Sequence, residues 1–466
     1  MQEIQIYVVN MNLCNKKCQK NNSCIYKQCP YNLFKSINTN IINKNNYSGP
    51  LVNTFIGSFN YPNVNMSVIA NYKKDFNDID DVTEWKNKKL NINDILLRRI
   101  HAINSSKQNN VKSVKTNDQK SLRTFNINKP INKNKKYEIE KQCINNSLLV
   151  KNSFEIDKIQ NKDFMQNIQL LSLSNKNIEG EINFSSRIQS KIQFDSYTKP
   201  FGPKVNLKNF SIEENVHVPT VVDKIINDDL NANEALIKLN KKNFDSYYLT
   251  KIFSTGNLGK NKRIVPTKWS ITAVDDSLSI QNLKNIKQFD IGNDYMIYTD
   301  NYLGNHYIIL FMPNQFSYQL NEIMIDNTMD LFDSHLKKVR EINLNYNYDY
   351  ENFYGRKNYA TNTAGAYYAA RYSISQKLME LKRQYKVAIF RFISNEYYVP
   401  LGVWVVREGI LKTLQTKPII FQDEELVKNY ILQLSKKKYR VNINNIFKES
   451  KIFNEKEEQK NILLFT

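Results

Sequence analysis

The sequence predicts an α+β protein, with mixed helices and mainly antiparallel strands and a small N-terminal zinc-binding element. Three observations carry that expectation. Segments with strand alternation and segments with a helical period follow one another without a regular βαβ rhythm. Four of the five cysteines fall between Cys14 and Cys29, a density that in a reducing compartment points to a metal rather than to disulfides. Residues 104–143 hold ten basic and three acidic side chains and few apolar ones, and read as a mobile basic insertion or linker.

In chain order, residues 1–45 form the cysteine-bearing head and 46–103 the first part of the main body. There FIGSFNYPNV (55–64) is strand-like, and DVTEWKNKKLNINDILLRRI (81–100) has the pattern of one or two short helices. Past the insertion, 144–415 is the rest of the main body. MQNIQLLSL and GEINFSSRIQSKIQF alternate as strands do. TVVDKIINDDL, NEALIKLNKK and FDSYYLTKIFSTG read as three short helices, the last capped by Gly256. YMIYTDNYLGNHYIILFM (295–312) is two strands about a turn at Asn301–Gly304, and QFSYQLNEIMI a third. In TAGAYYAARYSISQKLMELKR (363–383), Tyr367, Ala370, Ile374, Leu378 and Leu381 make one helical stripe. KVAIFRFIS and EYYVPLGVWVV read as two more strands. QDEELVKNYILQLSKKK, in the helical segment 416–450, has acids in its first turn and lysines in its last, as the helix dipole favours. Residues 451–466 are the expected flexible tail. Eight of the 12 glycines lie from Gly256 onward, which places close backbone geometry, and with it the working site, in the C-terminal half.

At 466 residues the chain has material for two or three domains and an ample core. Lys and Arg exceed Asp and Glu by 66 to 45, a net charge of +21. Such an excess serves solubility or, more sharply, a polyanion partner, DNA or RNA, held by phosphate neutralisation. No run of 18 apolar residues predicts a membrane span, and MQEIQIYVVNMNL lacks the parts of a signal peptide, so the cytoplasm is expected.

Cys14, Cys18, Cys24 and Cys29 are spaced C-x3-C-x5-C-x4-C, and Cys143 stands apart. Four thiolates on so short a chain can close a tetrahedral Zn²⁺ site that supplies folding energy; an iron–sulfur cluster is the alternative. Lys16, Lys17, Lys20 and Lys27 interleave with the ligands, which suits phosphate contact or a solvated surface equally.

Three blocks are dense in polar residues: RIVPTKWSITAVDDSLS (263–279), DYENFYGRKNYATNTAGAYYAAR (349–371) and SNEYYVPLGVWVVREG (394–409). Together with IGSFNYPNV, the cysteine head and the tail, they give most of the chain a likeness to one family: it resembles the archaeal Nre DNA-repair proteins. The resemblance implies a DNA-repair protein that associates with the sliding clamp PCNA, with a zinc-binding N-terminal element. The first cysteine spacing and the basic insertion depart from the family pattern.

The blocks also have chemistry of their own. Arg371 lies three and four residues from Tyr368 and Tyr367, so they meet on one helix edge. That suits phosphate pairing with base stacking, or plain packing of Arg against rings. Arg356 and Lys357 after Gly355, and Arg263 and Lys268, are further candidate nucleic-acid contacts. Asp275 and Asp276 are either ligands of Mg²⁺ or Mn²⁺, with Glu396 or Asp300, as a metal-dependent nuclease needs, or caps of a helix beginning near Asp276; capping is preferred. His306 is a candidate general acid or base, more often a structural residue in such a place. Trp269 and Trp404 are expected in the core.

The closing QKNILLFT (459–466) fits the clamp-binding pattern, with Gln459, Ile462 and Phe465 in place and Thr466 where a second aromatic is usual. One short turn puts Ile462 and Phe465 on the same side for an apolar pocket, and the charged KESKIFNEKEE before it is expected to act as a tether. The alternative is a final strand docking on its own domain. The leading expectation is thus a DNA-binding repair factor recruited by PCNA, acting either as a DNA-processing enzyme or as an adaptor between damaged DNA, the clamp and other repair proteins. An RNA-binding zinc protein is the third reading.

Overall fold

A computed structural model describes residues 45–73, 76–111, 164–188, 202–325, 346–397 and 399–454. The cysteine head, residues 112–143 of the basic insertion with Cys143, and the tail motif lie outside them. The chain divides into two compact units at Ser277/Leu278.

In the first unit five strands close a barrel: β1 (Asn46–Ile56), β2 (Asn63–Asn71), β3 (Ala102–Asn110), β4 (Ile178–Phe184) and β5 (Lys204–Ile212), in the order β1-β2-β3-β5-β4. All neighbours are antiparallel except β3 and β5, which pair in parallel through Ser105↔Val205. Leu51, Val64, Met66, Val68, Ile103, Ile182, Val205 and Phe210 fill the interior. Between β3 and β4 a helix, α3 (164–173), supplies Phe164, Met165, Ile168 and Leu171 to the same core and so plugs the barrel. Five strands in this order, with a helix between the third and fourth, are the connectivity of the OB-fold barrel. Gly202 makes the parallel closure possible: its N–H donates to Arg99 O at 2.8 Å, and a Cβ there would stand 2.1 Å from Ile100 O.

Two expectations are corrected here. MQNIQLLSL is helix, because Phe164, Ile168 and Leu171 form a stripe that the open barrel end buries. The insertion does not begin at 104, because 104–110 pairs with β2 from Asn63↔Asn110 to Ile69↔Asn104.

Around the barrel stand α1 (Val82–Asn87), α2 (Ile92–Ile100), α4 (Thr220–Ile226), α5 (Ala232–Asn240) and α6 (Ser246–Ser254), as the sequence predicts. Asn91 and Asn231 each close a capping box, and Gly256 follows α6 with φ +76°. Next comes α7 (Thr267–Ile286), entered through Pro266 and held at its start by Ile56 N–H, which donates to Thr267 Oγ1 at 2.9 Å.

The second unit is a six-stranded sheet between two layers of helix. Its strands are β6 (Tyr295–Tyr302), β7 (Asn305–Met312), β8 (Ser317–Met324), β9 (Tyr346–Glu351), β10 (Lys386–Ile393) and β11 (Ile419–Phe421), ordered β11-β6-β7-β10-β8-β9. The predicted β6–β7 hairpin turns at Leu303 and Gly304, both with positive φ. One sheet face packs on α8 (Ala364–Leu381) and α9 (Trp404–Leu414) through Tyr307, Ile309, Phe311, Leu320, Ile374, Ile389, Val406 and Ile410. The other packs on α10 (Glu424–Tyr439), α11 (Asn444–Glu449) and α12 (Lys451–Asn454) through Ile308, Leu310, Phe390, Ile431, Phe447 and Ile452.

Here too the structure differs from expectation twice. GVWVVREGILKTL is helical, since Val406, Ile410 and Leu414 share a stripe that the sheet covers. KESKIFN is not a tether, because Ile452 is fully buried and stabilises by about 1.5–3 kcal/mol. Among the described residues no helix is long and apolar enough to cross a membrane.

Candidate functional site

The sequence of β9, YNYDYE, alternates Tyr with polar residues, so the strand turns Tyr346, Tyr348 and Tyr350 to one face and Asn347, Asp349 and Glu351 to the other. Pairing with β8 sets Glu351 opposite Tyr318, Asp349 opposite Leu320, and Asn347 opposite Glu322. Three carboxylates therefore line the sheet face covered by α8. Each has an arginine: Arg356 Nη2–Asp349 Oδ1 at 3.1 Å, Arg371 Nη1–Glu351 Oε2 at 2.8 Å, and Arg391 with Glu322.

Asp349 organises the entry to α8. Its Oδ2 accepts from Asn362 N–H, Thr363 N–H and Thr363 Oγ1 at 3.0, 2.7 and 3.0 Å, so a carboxylate from β9 serves the donors at the helix N-terminus. Arg356 donates to Tyr350 O, Asn358 O and Tyr359 O, and its guanidinium stands 5.2 Å from the Tyr367 ring centre. The block DYENFYGRKNYA is thus folded about one arginine, which exposes Tyr354, Lys357 and Tyr359.

Deeper, Arg371 bonds Ser279 Oγ at 3.1 Å and lies over Tyr367 and Tyr368 at 5.6 and 5.5 Å. Tyr318 donates to Tyr367 O, and Tyr368 Oη accepts from Ala360 N–H. Lys287, over the Phe353 ring at 5.0 Å, adds a cation; burial and Arg371 push its pKa down while Glu351 pulls it up. Burial, then the Glu351 charge, holds the Tyr318 and Tyr367 phenols protonated far above their ordinary range. The Tyr367 hydroxyl and Glu351 Oε1 are buried without a hydrogen bond of ordinary geometry.

At the far end of the same face, Asn305 Oδ1 accepts from Arg391 Nε and Nη2 at 2.9 and 2.6 Å. Burial pushes the Glu322 carboxyl up, against the pull of Arg391. The three charge pairs tie β9 to the loop after it, β9 to α8, and β8 to β10, and leave the three arginines engaged.

The structure brings Arg356, Tyr367 and Arg371 together, as the motif implies, but not as an open phosphate and base platform. Tyr367 and Arg371 are buried, and Arg356 is spent on carbonyls and Asp349. Lys357, Arg263 and Lys268 are exposed. Asp275 and Asp276 lie in the middle of α7, well past its start at Thr267, so neither caps it. Asp275 is fully buried and Asp300 pairs with Lys412 at 2.9 Å. Glu396 is exposed and acts on His306, whose pKa burial lowers and Glu396 raises. Among the described residues no three His, Cys, Asp or Glu side chains converge as a metal ion requires, so the Asp275–Asp276–Asp300–Glu396 set is not assembled there. Cys14, Cys18, Cys24, Cys29, Gln459, Ile462, Phe465 and Thr466 lie outside the described residues.

Trp404 is core, as expected, whereas Trp269 is 46% exposed and meets Tyr61 at 5.3 Å between ring centres. Sequence reasoning missed Glu322, Asp349, Glu351 and Arg391, although the Tyr/acid alternation of β9 was a visible signal for two of them. It also missed Phe59 and Tyr61, on a short turn whose exposure no periodicity reports.

Residues 18–142 and 136–329 match the family model described as Archaeal Nre, N-terminal, and 351–465 the one described as Archaeal Nre, C-terminal. The chain is 32% identical over 278 residues to DNA repair protein NreA of Archaeoglobus fulgidus, covering 59% of this chain and 68% of that one. It is 26% identical over 371 residues to DNA repair protein NreA of Haloferax volcanii, covering 78% and 77%. DNA repair protein NreB of Archaeoglobus fulgidus is 31% identical over 265 residues, with 57% and 65% covered. No solved structure matches.

Proposed function

The chain belongs to the archaeal Nre family, and from that premise we propose that it is a DNA-repair protein that binds DNA and is brought to the sliding clamp PCNA by its C-terminal tail. The observation that carries this reading is that both halves of the chain match the family and that its relatives are named DNA repair proteins. The C-terminal match runs to residue 465 and so includes Gln459, Ile462 and Phe465. Net charge of +21 supports a polyanion partner.

Docking of Ile462 and Phe465 in an apolar pocket is worth about 1.5–3 kcal/mol each before ordering costs, in keeping with an affinity of about a micromolar. A ring-shaped clamp then raises local concentration. Cys14, Cys18, Cys24 and Cys29 would hold one structural Zn²⁺, checked by zinc content near one equivalent in the purified protein.

In the polar block 349–371 the charged side chains are taken up by the Asp349–Arg356 and Glu351–Arg371 pairs, which favours an adaptor over a nuclease. The test is a pull-down with immobilised PCNA beside binding to labelled DNA. Ile462→Ala/Phe465→Ala is expected to lose the clamp and keep DNA. Clamp capture unchanged in that variant, or no DNA bound at physiological salt, would overturn the corresponding half. Mg²⁺- or Mn²⁺-dependent cleavage of the labelled strand, lost in Asp275→Ala/Asp276→Ala, would replace the adaptor by an enzyme.

A further inference from the structure

At the β1–β2 turn of the barrel three aromatic side chains stand clear of any core. Phe59 is 91% exposed, Tyr61 44% and Trp269 46%. Single exposed apolar residues are ordinary on a protein surface, but here two lie in one short turn and the third ring meets one of them. The turn is held from both ends: Gly57 N–H donates to Asn65 O at 2.8 Å, Asn63 N–H to Asn60 O at 2.9 Å, and Val111 N–H to Pro62 O at 3.0 Å. Trp269 is fixed by the first turn of α7, which Thr267 ties to Ile56. The rings are thus presented by anchored backbone.

The strands running away from this rim have an unusual outer face. Val64, Met66 and Val68 of β2 point into the barrel, so Asn63 and Asn65 point out, opposite Asn110 and Gln108 of β3, followed by Ser106. This is a row of amides and a hydroxyl, each offering both donors and acceptors. Asn110 Nδ2 donates to Asn63 Oδ1 at 2.6 Å, so two of these amides are joined across the strands. The three segments that build the rim and the face, 57–67, 104–111 and 262–270, contain no Asp or Glu, and Arg263 and Lys268 are exposed in the last of them.

We infer that the outer β2–β3 face of the barrel and its aromatic rim bind single-stranded DNA, with unpaired bases stacked on Phe59, Tyr61 and Trp269. Aromatic faces need bases that are free of a duplex, and they accept any base. The amides meet base edges, while Arg263 and Lys268 meet the backbone. Barrels of this connectivity use the same two strands and the first loop for oligonucleotides, which agrees with the side chains but does not replace them as the argument. The inference rests on the DNA-repair reading only for the identity of the sugar.

The three tryptophans make the test direct, because Trp85 and Trp404 are buried and Trp269 is not. The full-length protein is titrated with a thymidine oligomer, its duplex, a uridine oligomer, and an abasic deoxyribose-phosphate polymer of equal length, following tryptophan emission and anisotropy of the labelled strand. The thymidine oligomer is expected to quench emission saturably and to bind at least about tenfold more tightly than the abasic polymer. Phe59→Ala/Tyr61→Ala is expected to lose about tenfold or more in affinity, and Trp269→Leu to lose the quench. Equal binding of the abasic polymer, or tight thymidine binding with unquenched emission and no change in either variant, would overturn the surface while leaving DNA binding intact. Tighter binding of the uridine oligomer would overturn the DNA assignment, and no binding to any polymer would overturn this inference together with the DNA-binding half of the proposed function.

Discussion

Removing the Arg371 guanidinium would leave Glu351 charged in a buried site with Oε1 already lacking a hydrogen bond. Breaking one side of such a pair costs about 3–5 kcal/mol, so Arg371→Met should lower unfolding stability in urea by that amount. Arg371→Met/Glu351→Leu removes both charges and should recover a good part of the loss; a double variant no better than the sum of two singles would show that the pair is not coupled. A titrating residue gives a second handle. His101 is buried against Tyr72 and Phe76, donates from Nδ1 to Leu97 O at 2.6 Å, and has its pKa lowered by burial below its ordinary 6.5. Below pH 6.5 the unfolded chain takes up the proton first, so stability falls as pH drops from 6.5 toward the folded-state pKa. His101→Phe should flatten that part of the urea-midpoint curve; an unchanged slope would place the acid sensitivity elsewhere.

The elements show where reading by pattern succeeds and where it stops. Three helices in 220–254, the β6–β7 hairpin and the stripe of α8 were legible because caps, a positive-φ turn and a 3.6-residue period are local properties. The plug helix α3 and the sheet-covered α9 were read as strands because apolar runs of Leu or Val satisfy either period, and only the surface that buries them decides. Strand β3 was hidden for the opposite reason, its polar AINSSKQNN being held by main-chain pairing on both sides rather than by apolar burial. The carboxylate–arginine pairs lay beyond reach because each joins residues 7 to 69 positions apart in sequence. Closure of the barrel hangs on one such non-local contact: a Cβ at Gly202 would meet two carbonyl oxygens within 2.3 Å. Gly202→Ala should therefore cost about 1–3 kcal/mol and raise amide exchange along β5, which hydrogen exchange would report. Phe447→Ala on α11 should cost about 3–5 kcal/mol in the other unit, measured as a lower urea midpoint.

For the whole molecule the deciding quantity is charge. A net +21 spread over 466 residues attracts any polyanion, so affinity alone cannot distinguish a built surface from a diffuse one. Salt dependence can. Each phosphate neutralised on a single strand contributes about −0.7 to the slope of log K against log salt, whereas stacked bases contribute nothing to it. Arg263→Ala/Lys268→Ala should therefore flatten the slope for a thymidine oligomer by about 1–1.5, which is about 0.7 per cation removed. Phe59→Ala/Tyr61→Ala should lower the line at every salt concentration without turning it. If charge were diffuse, removing two cations among 66 would leave the slope where it was, and the aromatic variant would bind as the parent does. The two variants thus separate attraction to the whole chain from recognition by one face of it, with the same titration and the same strand.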